Sequence, residues 1–89
     1  MAIIEKKTWP EMFEKVLAGD KSFDARIADF EVAQGDILVL REWDPQKKAY
    51  TGREVRKKIG YVLKTKDVPF WNPADIKKYG LQIMSLVEK

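Results

Sequence analysis

Lys21, Asp24 and Arg26 fall within six residues of one another, in the stretch Gly19-Asp20-Lys21-Ser22-Phe23-Asp24-Ala25-Arg26. An amine, a carboxylate and a guanidinium at this spacing can line a pocket for an anionic or hydrogen-bonding ligand. The same trio can be a surface ion-pair group, and the residues alone leave both readings open. A turn at Gly19-Asp20 delivers Lys21 into a short strand. Its alternation sets Phe23, Ala25 and Ile27 on one face and Ser22, Asp24 and Arg26 on the other. Acid–base chemistry, if the chain performs any, falls to Lys21, Asp24 and Glu42.

That short set of candidates follows from what the chain lacks. It contains neither cysteine nor histidine. Disulfides, thiolate zinc sites, imidazole bases and His-based triads are therefore excluded, and no metal or cofactor is expected. Phosphate-binding glycine loops, a dinucleotide fingerprint, a serine nucleophile elbow and a calcium loop are missing too. No apolar run approaches a membrane span and no signal-peptide pattern opens the chain, so a soluble, cytoplasmic protein is expected. Its 89 residues suit one domain, 1–89, with a single core.

The charge is segregated along the chain. Residues 1–44 hold six Lys/Arg against ten Asp/Glu, a balance of −4, whereas residues 45–89 hold eleven against four, a balance of +7. Between 45 and 66, Lys47, Lys48, Arg53, Arg56, Lys57, Lys58, Lys64 and Lys66 are opposed only by Glu54. Such a segment fits an anionic partner, nucleic acid first, and equally fits a solvated edge strand whose lysines prevent aggregation.

The elements that must position these residues follow from periodicity. Residues 2–7 read as a first strand. Trp9, Met12, Phe13, Val16 and Leu17 form the apolar stripe of a helix over 9–18, read as core, with Thr8 and Glu11 as a capping box, Pro10 in the first turn and Gly19 as the stop. Strand 22–27 follows. Residues 36–43 are apolar on both parities up to Arg41, as in a central strand, and Asp44-Pro45 opens a polar turn. A long strand over 50–64 places Val55, Ile59, Tyr61 and Leu63 on one parity and Glu54, Arg56, Lys58 and Lys64 on the other. Asn72-Pro73-Ala74-Asp75 starts a short helix that Gly80 ends, and 81–87 is a final strand deep in the sheet. The order β-α-β-β-β-α-β suits a compact α+β fold, a small mixed β-barrel of five to six strands with two short helices.

Four blocks in order carry a family resemblance: Trp9-Pro10-Glu11-x-Phe13, Gly19-x-Lys21-x-Phe23-Asp24-x-Arg26, Gly35-Asp36-Ile37-Leu38-x-Leu40-x-Glu42-Trp43-Asp44-Pro45, and Tyr50-Thr51-Gly52-Arg53. Together they resemble ASCH-like domains of the PUA superfamily, in the small branch with the Tyr-Thr-Gly-Arg signature. The resemblance implies a PUA-like pseudo-barrel with a helix closing one end. It also implies binding of RNA, or of a single base in a cleft of the barrel. One ASCH branch deacetylates 4-acetylcytidine using Lys and Thr of a Lys-x-x-Thr-x-Arg stretch and a distant Glu. This chain keeps Lys21 and Arg26 but has Asp24 where that threonine stands, and a carboxylate is no hydroxyl nucleophile.

The expectation that results is an RNA- or nucleotide-binding module. Lys21 and Arg26 line the cleft, Arg53, Arg56 and Lys58 form one electropositive face, and Trp43 or Tyr50 stacks on an unpaired base. The competing structural readings are a core Trp43 at a strand end, and a turn built on Gly52 with Arg53 paired to Glu42 or Asp44. Trp71 is a further aromatic candidate. The alternative function is a small amidohydrolase-like enzyme acting on a modified nucleoside, and free strand edges leave room for a homodimer.

Overall fold

The computed structural model describes residues 1–68, 72, 74, 77, 78 and 80–88. Its elements are β1 (Ile3–Thr8), α1 (Pro10–Ala18), β2 (Phe23–Ile27), β3 (Ile37–Asp44), β4 (Ala49–Lys64) and β5 (Leu81–Val87), with a 3-10 turn at Thr65–Asp67. The strands form one sheet in the order β1-β3-β4-β5-β2. Only the β1–β3 pair is parallel; β3–β4, β4–β5 and β5–β2 are antiparallel. The sheet curls into a half-barrel with α1 packed on its concave side, an α+β fold dominated by strand. Of the predicted helix from Asn72 to Gly80, residues 73, 75, 76 and 79 lie outside the described residues, as does Trp71. Among the described residues no helix is long and apolar enough to cross a membrane.

The central position predicted for residues 36–43 follows directly from their pattern. Ile37, Leu38, Val39 and Leu40 are all buried, so β3 must be covered on both faces. Leu38 and Leu40 point inward and meet Val16 of α1, with Ile59, Met84 and Leu86 from β4 and β5. Phe13 and Val16 are the buried part of the helix stripe. Gly19 ends the helix, its amide donating to Val16 O.

Three expectations need correction. First, the capping box does not form. Thr8 belongs to β1, where it lies beside Glu42, and Pro10 at the first helical position makes the extended Trp9 the cap. Second, the apolar stripe of α1 is not all core. Trp9 is 62% exposed, Met12 52% and Leu17 48%, so only two of its five side chains fill the interior. Third, β4 does not keep one parity to its end. Its pairing with β5 shifts between Ile59 and Val62, a bulge that turns Tyr61 out to 61% exposure and brings Val62 against the core instead. Gly60 lets the strands approach there, since a Cβ on it would lie 2.9 Å from Ser85 Oγ and 3.2 Å from Val87 Cγ1.

Asp36 fixes the start of β1 to the turn before β3. One carboxylate oxygen accepts the Ala2 amide and the other the Ala33 amide, both at 2.9 Å. These two backbone donors hold its carboxyl below the ordinary value of 3.8.

Candidate functional site

The two edge strands approach each other across the open side of the half-barrel, and Arg26 spans the gap. Its Nε donates to Asp24 Oδ2 on its own strand. Its Nη2 donates to Lys7 O at 3.0 Å and Thr8 Oγ1 at 3.2 Å on β1. Lys21 reaches over from the turn before β2, donating to Phe23 O at 2.8 Å and lying 3.4 Å from Asp24 Oδ1. The three residues singled out by type and spacing thus converge on one place.

The burial of β2 is the reverse of what a two-faced strand normally shows. Asp24 is 3% exposed, while Phe23 and Ile27 on the opposite face are 48% and 47% exposed. A buried carboxylate needs paired donors, and Asp24 has two cations. Polar residues inside and apolar residues outside break the local rule of folding, and such breaks concentrate at functional sites.

Beside this group opens a cleft of about 730 Å³. One wall is the start of α1, with Trp9, Met12 and Lys15; another is the end of β1, with Lys7 and Thr8; the third is the turn and strand from Asp20 to Arg26. Three cations, Lys15, Lys21 and Arg26, line it against two carboxylates, Asp20 and Asp24; Lys7 borders it too, but its ammonium lies over Trp43. Sequence reasoning missed Lys7, Thr8, Trp9, Met12 and Lys15. For Trp9 and Met12 the signal was present but ambiguous, because an apolar helix stripe looks the same whether it faces core or cleft.

Glu42 belongs to a second site. It does not line the cleft but lies one strand away, beside Thr8 in the β1–β3 register. Its side chain accepts from Thr51 Oγ1 at 2.6 Å and, through both oxygens, from Arg53 Nε and Nη2 at 2.9 Å each. Arg53 Nη2 also donates to Glu14 of α1, and the guanidinium lies 5.0 Å from the Phe13 ring centroid. Gly52 between them has φ +97, the left-handed backbone that puts Thr51 and Arg53 together on one carboxylate. The Tyr-Thr-Gly-Arg block is therefore a clamp that ties the β3–β4 hairpin to α1. Arg53 consequently does not share a face with Arg56 and Lys58. Those two pair in register with the outward Val39 and Ile37, whereas Arg53 points to the helix side.

The Arg53 guanidinium and then the Thr51 hydroxyl hold the Glu42 carboxyl below its ordinary 4.5, overcoming the opposing effect of burial. Arg53 is in turn shifted upward by Glu42 and Glu14. Asp36 and Glu42 are both depressed in the fold, so the unfolded chain binds their protons first. Their contribution to stability is complete above about pH 5 and is lost as pH falls through the depressed folded values. Urea midpoints measured from pH 7 to pH 3 are expected to hold steady down to about 5 and then fall, and Glu42→Gln is expected to flatten that fall. A midpoint that rises on acidification contradicts the assignment.

On the outer face Trp43 and Tyr50 meet edge to face, with ring centroids 5.0 Å apart. Lys7 Nζ sits 3.8 Å over Trp43, and the Arg41 guanidinium 4.0 Å over Tyr50. Trp43 is half-buried on this surface rather than in the core. Each ring already has a cation on one face. Arg56 pairs with Glu54 at 3.5 Å and Lys57 with Glu88 at 3.0 Å, so part of the basic excess is internally compensated.

Fold and site together define a small curled-sheet α+β domain with a cationic, aromatic-lined cleft between its edge strands. Residues 3–73 match the family described as "Domain of unknown function (DUF3850)", and the chain belongs to that family. The matched span contains every cleft residue and the whole Glu42 clamp. No curated protein matches the chain.

Proposed function

We propose that the domain binds RNA or single-stranded nucleic acid by taking an unpaired nucleotide into the cleft between β1, β2 and α1, and that its half-barrel is of the PUA-like kind. The observation that carries this reading is the pairing of a buried Asp24, held by the partly exposed Lys21 and Arg26, with exposed aromatic side chains, Trp9 and Phe23, in one cavity. An aromatic surface stacks any base, and fixed charged groups beside it orient the ligand. The volume, about 730 Å³, is that of a small-ligand site. The cationic surplus suits a phosphate, and Arg56 and Lys58 on the outer face offer further backbone contacts.

Binding fits the geometry better than catalysis. The Thr8 hydroxyl stands 3.2 Å from Arg26 Nη2, and so enters the site from which the sequence alone had removed a hydroxyl. Its bonded partner, however, is a donor, and Lys21 is engaged with Phe23 O and Asp24. Among the described residues no hydrogen bond joins the Thr8 hydroxyl to a base that could activate it.

The test is titration of the protein with single-stranded RNA oligonucleotides at several salt concentrations, wild type against Trp9→Ala. Affinity is expected to fall with salt, and Trp9→Ala to weaken it by about five- to hundredfold, the worth of one base stack. Because Trp9 is largely exposed, the variant should keep its thermal stability. Binding indifferent to both salt and Trp9 sinks the reading.

A further inference from the structure

Arg26 divides the space between the edge strands rather than merely bordering it. The pairings of the sheet make β1 and β2 antiparallel across the gap. Lys6 is therefore level with the Ile27 end of β2, and Thr8 with the Asp24 end. The side chain of Arg26 crosses between them to Lys7 O and Thr8 Oγ1. On the Asp24 side lies the cleft already described. Beyond Arg26 lies a second pocket of about 430 Å³, lined by Lys6, Ala25, Arg26, Ile27, Asp29 and Phe30. Ala25 and Arg26 line both.

Two features of the divide suit a phosphodiester with a base on either side. The first is donor supply. Nε and Nη2 of Arg26 are taken by protein acceptors, whereas Nη1 has no partner among the described residues. No buried side-chain nitrogen is left unbonded, so Nη1 is open to solvent. Lys6 lines the second pocket, whereas Lys7 turns its ammonium to Trp43 on the outer face. The second is the strand edge. Hydrogen bonds from Leu86 N to Ser22 O and from Ala28 N to Gly80 O set the phase of the β2–β5 ladder. Even-numbered residues of β2 then bond to β5, and Phe23, Ala25 and Ile27 turn their amides and carbonyls toward the gap. Lys21 bonding Phe23 O from that side agrees with this phase. Ala25 thus offers an unpaired backbone donor and acceptor at the boundary of the two compartments, where the edge of a base can meet them. The second pocket has its own ring, Phe30, with Lys6 Nζ 3.8 Å from its centroid.

We infer that the gap between β1 and β2 is a two-nucleotide site, one nucleotide on each side of Arg26, with the linking phosphate on Arg26 Nη1. This rests on the nucleic-acid reading and adds the size and polarity of the unit recognised. An extended peptide adding to the β2 edge is disfavoured, because the Arg26 side chain already occupies the path such a strand would follow.

The experiment compares nucleoside 5′-monophosphates with the sixteen dinucleoside monophosphates by calorimetric titration of the full chain. A dinucleoside monophosphate carries no more charge than a mononucleotide, so extra affinity reports the second compartment and not electrostatics. The preferred dinucleoside monophosphate is expected to bind at least about fivefold more tightly than either component mononucleotide, the lower bound for one further stacked base. Lys6→Ala is expected to erase that advantage. Equal affinities for the two ligand classes, or an advantage that survives Lys6→Ala, overturn the two-nucleotide site while leaving the single-nucleotide cleft standing. Absence of binding by either class overturns the nucleic-acid reading itself.

Discussion

Arg53→Ala is expected to lower the melting temperature by on the order of 10 °C or more, a larger loss than Glu42→Gln produces. The asymmetry comes from what each substitution leaves behind. Without Arg53, the Glu42 carboxylate, 4% exposed in the intact fold, keeps only the Thr51 hydroxyl as donor, and an unpaired buried charge is among the most costly features a small core can contain. Glutamine at 42 removes the charge and keeps an acceptor, and the half-exposed Arg53 side chain can be solvated where it lies. The same substitution frees α1, because Arg53 is the bond between Glu42 and Glu14. Since α1 carries Trp9, Met12 and Lys15 into the cleft, ligand affinity should fall in the fraction that remains folded. Thermal melts of Arg53→Ala, Glu42→Gln and the double variant decide the matter. If the double variant is no more stable than Arg53→Ala alone, the orphaned carboxylate is not the cause.

Much of this frame is legible in the sequence for identifiable reasons. An eight-residue strand with four consecutive buried apolar residues has to be central, and 37–44 is. Gly19 and Pro10 bracket a helix whatever surrounds it. Lys21, Asp24 and Arg26 were found as a group because they are close in the chain, on one short strand and the turn that feeds it. The partners that make them a site are distant: Thr8 is 18 residues from Arg26, and is brought there only by the curl of the sheet. The bulge after Ile59 was invisible for a related reason. Alternation in β4 continues through Tyr61 and Leu63 in the sequence, and only the register against β5 shows that the phase has slipped. Grouping Arg53 with Arg56 and Lys58 joined positions of opposite parity on one strand, and the clamp with Glu42 is the consequence of that parity.

The cleft itself was hidden by a coincidence of chemistry. Stacking on a base and packing in a core both call for large apolar side chains, so Trp9 and Met12 read as core until their exposure is known. What separates the two is the neighbour on the facing element. Phe13 and Val16 turn to the sheet interior, while Trp9 and Met12 turn to a strand whose inward residues are Asp24 and Arg26. The polar face of β2 is what keeps that part of the helix from sealing the barrel, and so leaves a cavity there.

Arg26→Ala is therefore expected to have the largest effect on ligand binding of any single change, a loss of at least about a hundredfold. Three contributions disappear at once: the strut between β1 and β2, the pairing of Asp24, and the free Nη1 donors at the centre of the gap. Arg26→Lys separates them. A lysine can restore a charge beside Asp24, but a single ammonium cannot hold Asp24, Lys7 O and Thr8 Oγ1 and still present donors to a phosphate. It should recover most of the lost thermal stability and little of the affinity. Asp24→Asn tests the same group from its other side: the two cations lose their shared counter-charge, the cleft becomes more positive, and non-specific binding should rise as discrimination among bases falls. The measurements are thermal melts alongside titrations with single-stranded RNA at fixed salt. A purely structural group predicts the opposite outcome for Arg26→Lys, with affinity returning in step with stability. Affinity that stays low in a stable Arg26→Lys protein places the guanidinium on the ligand.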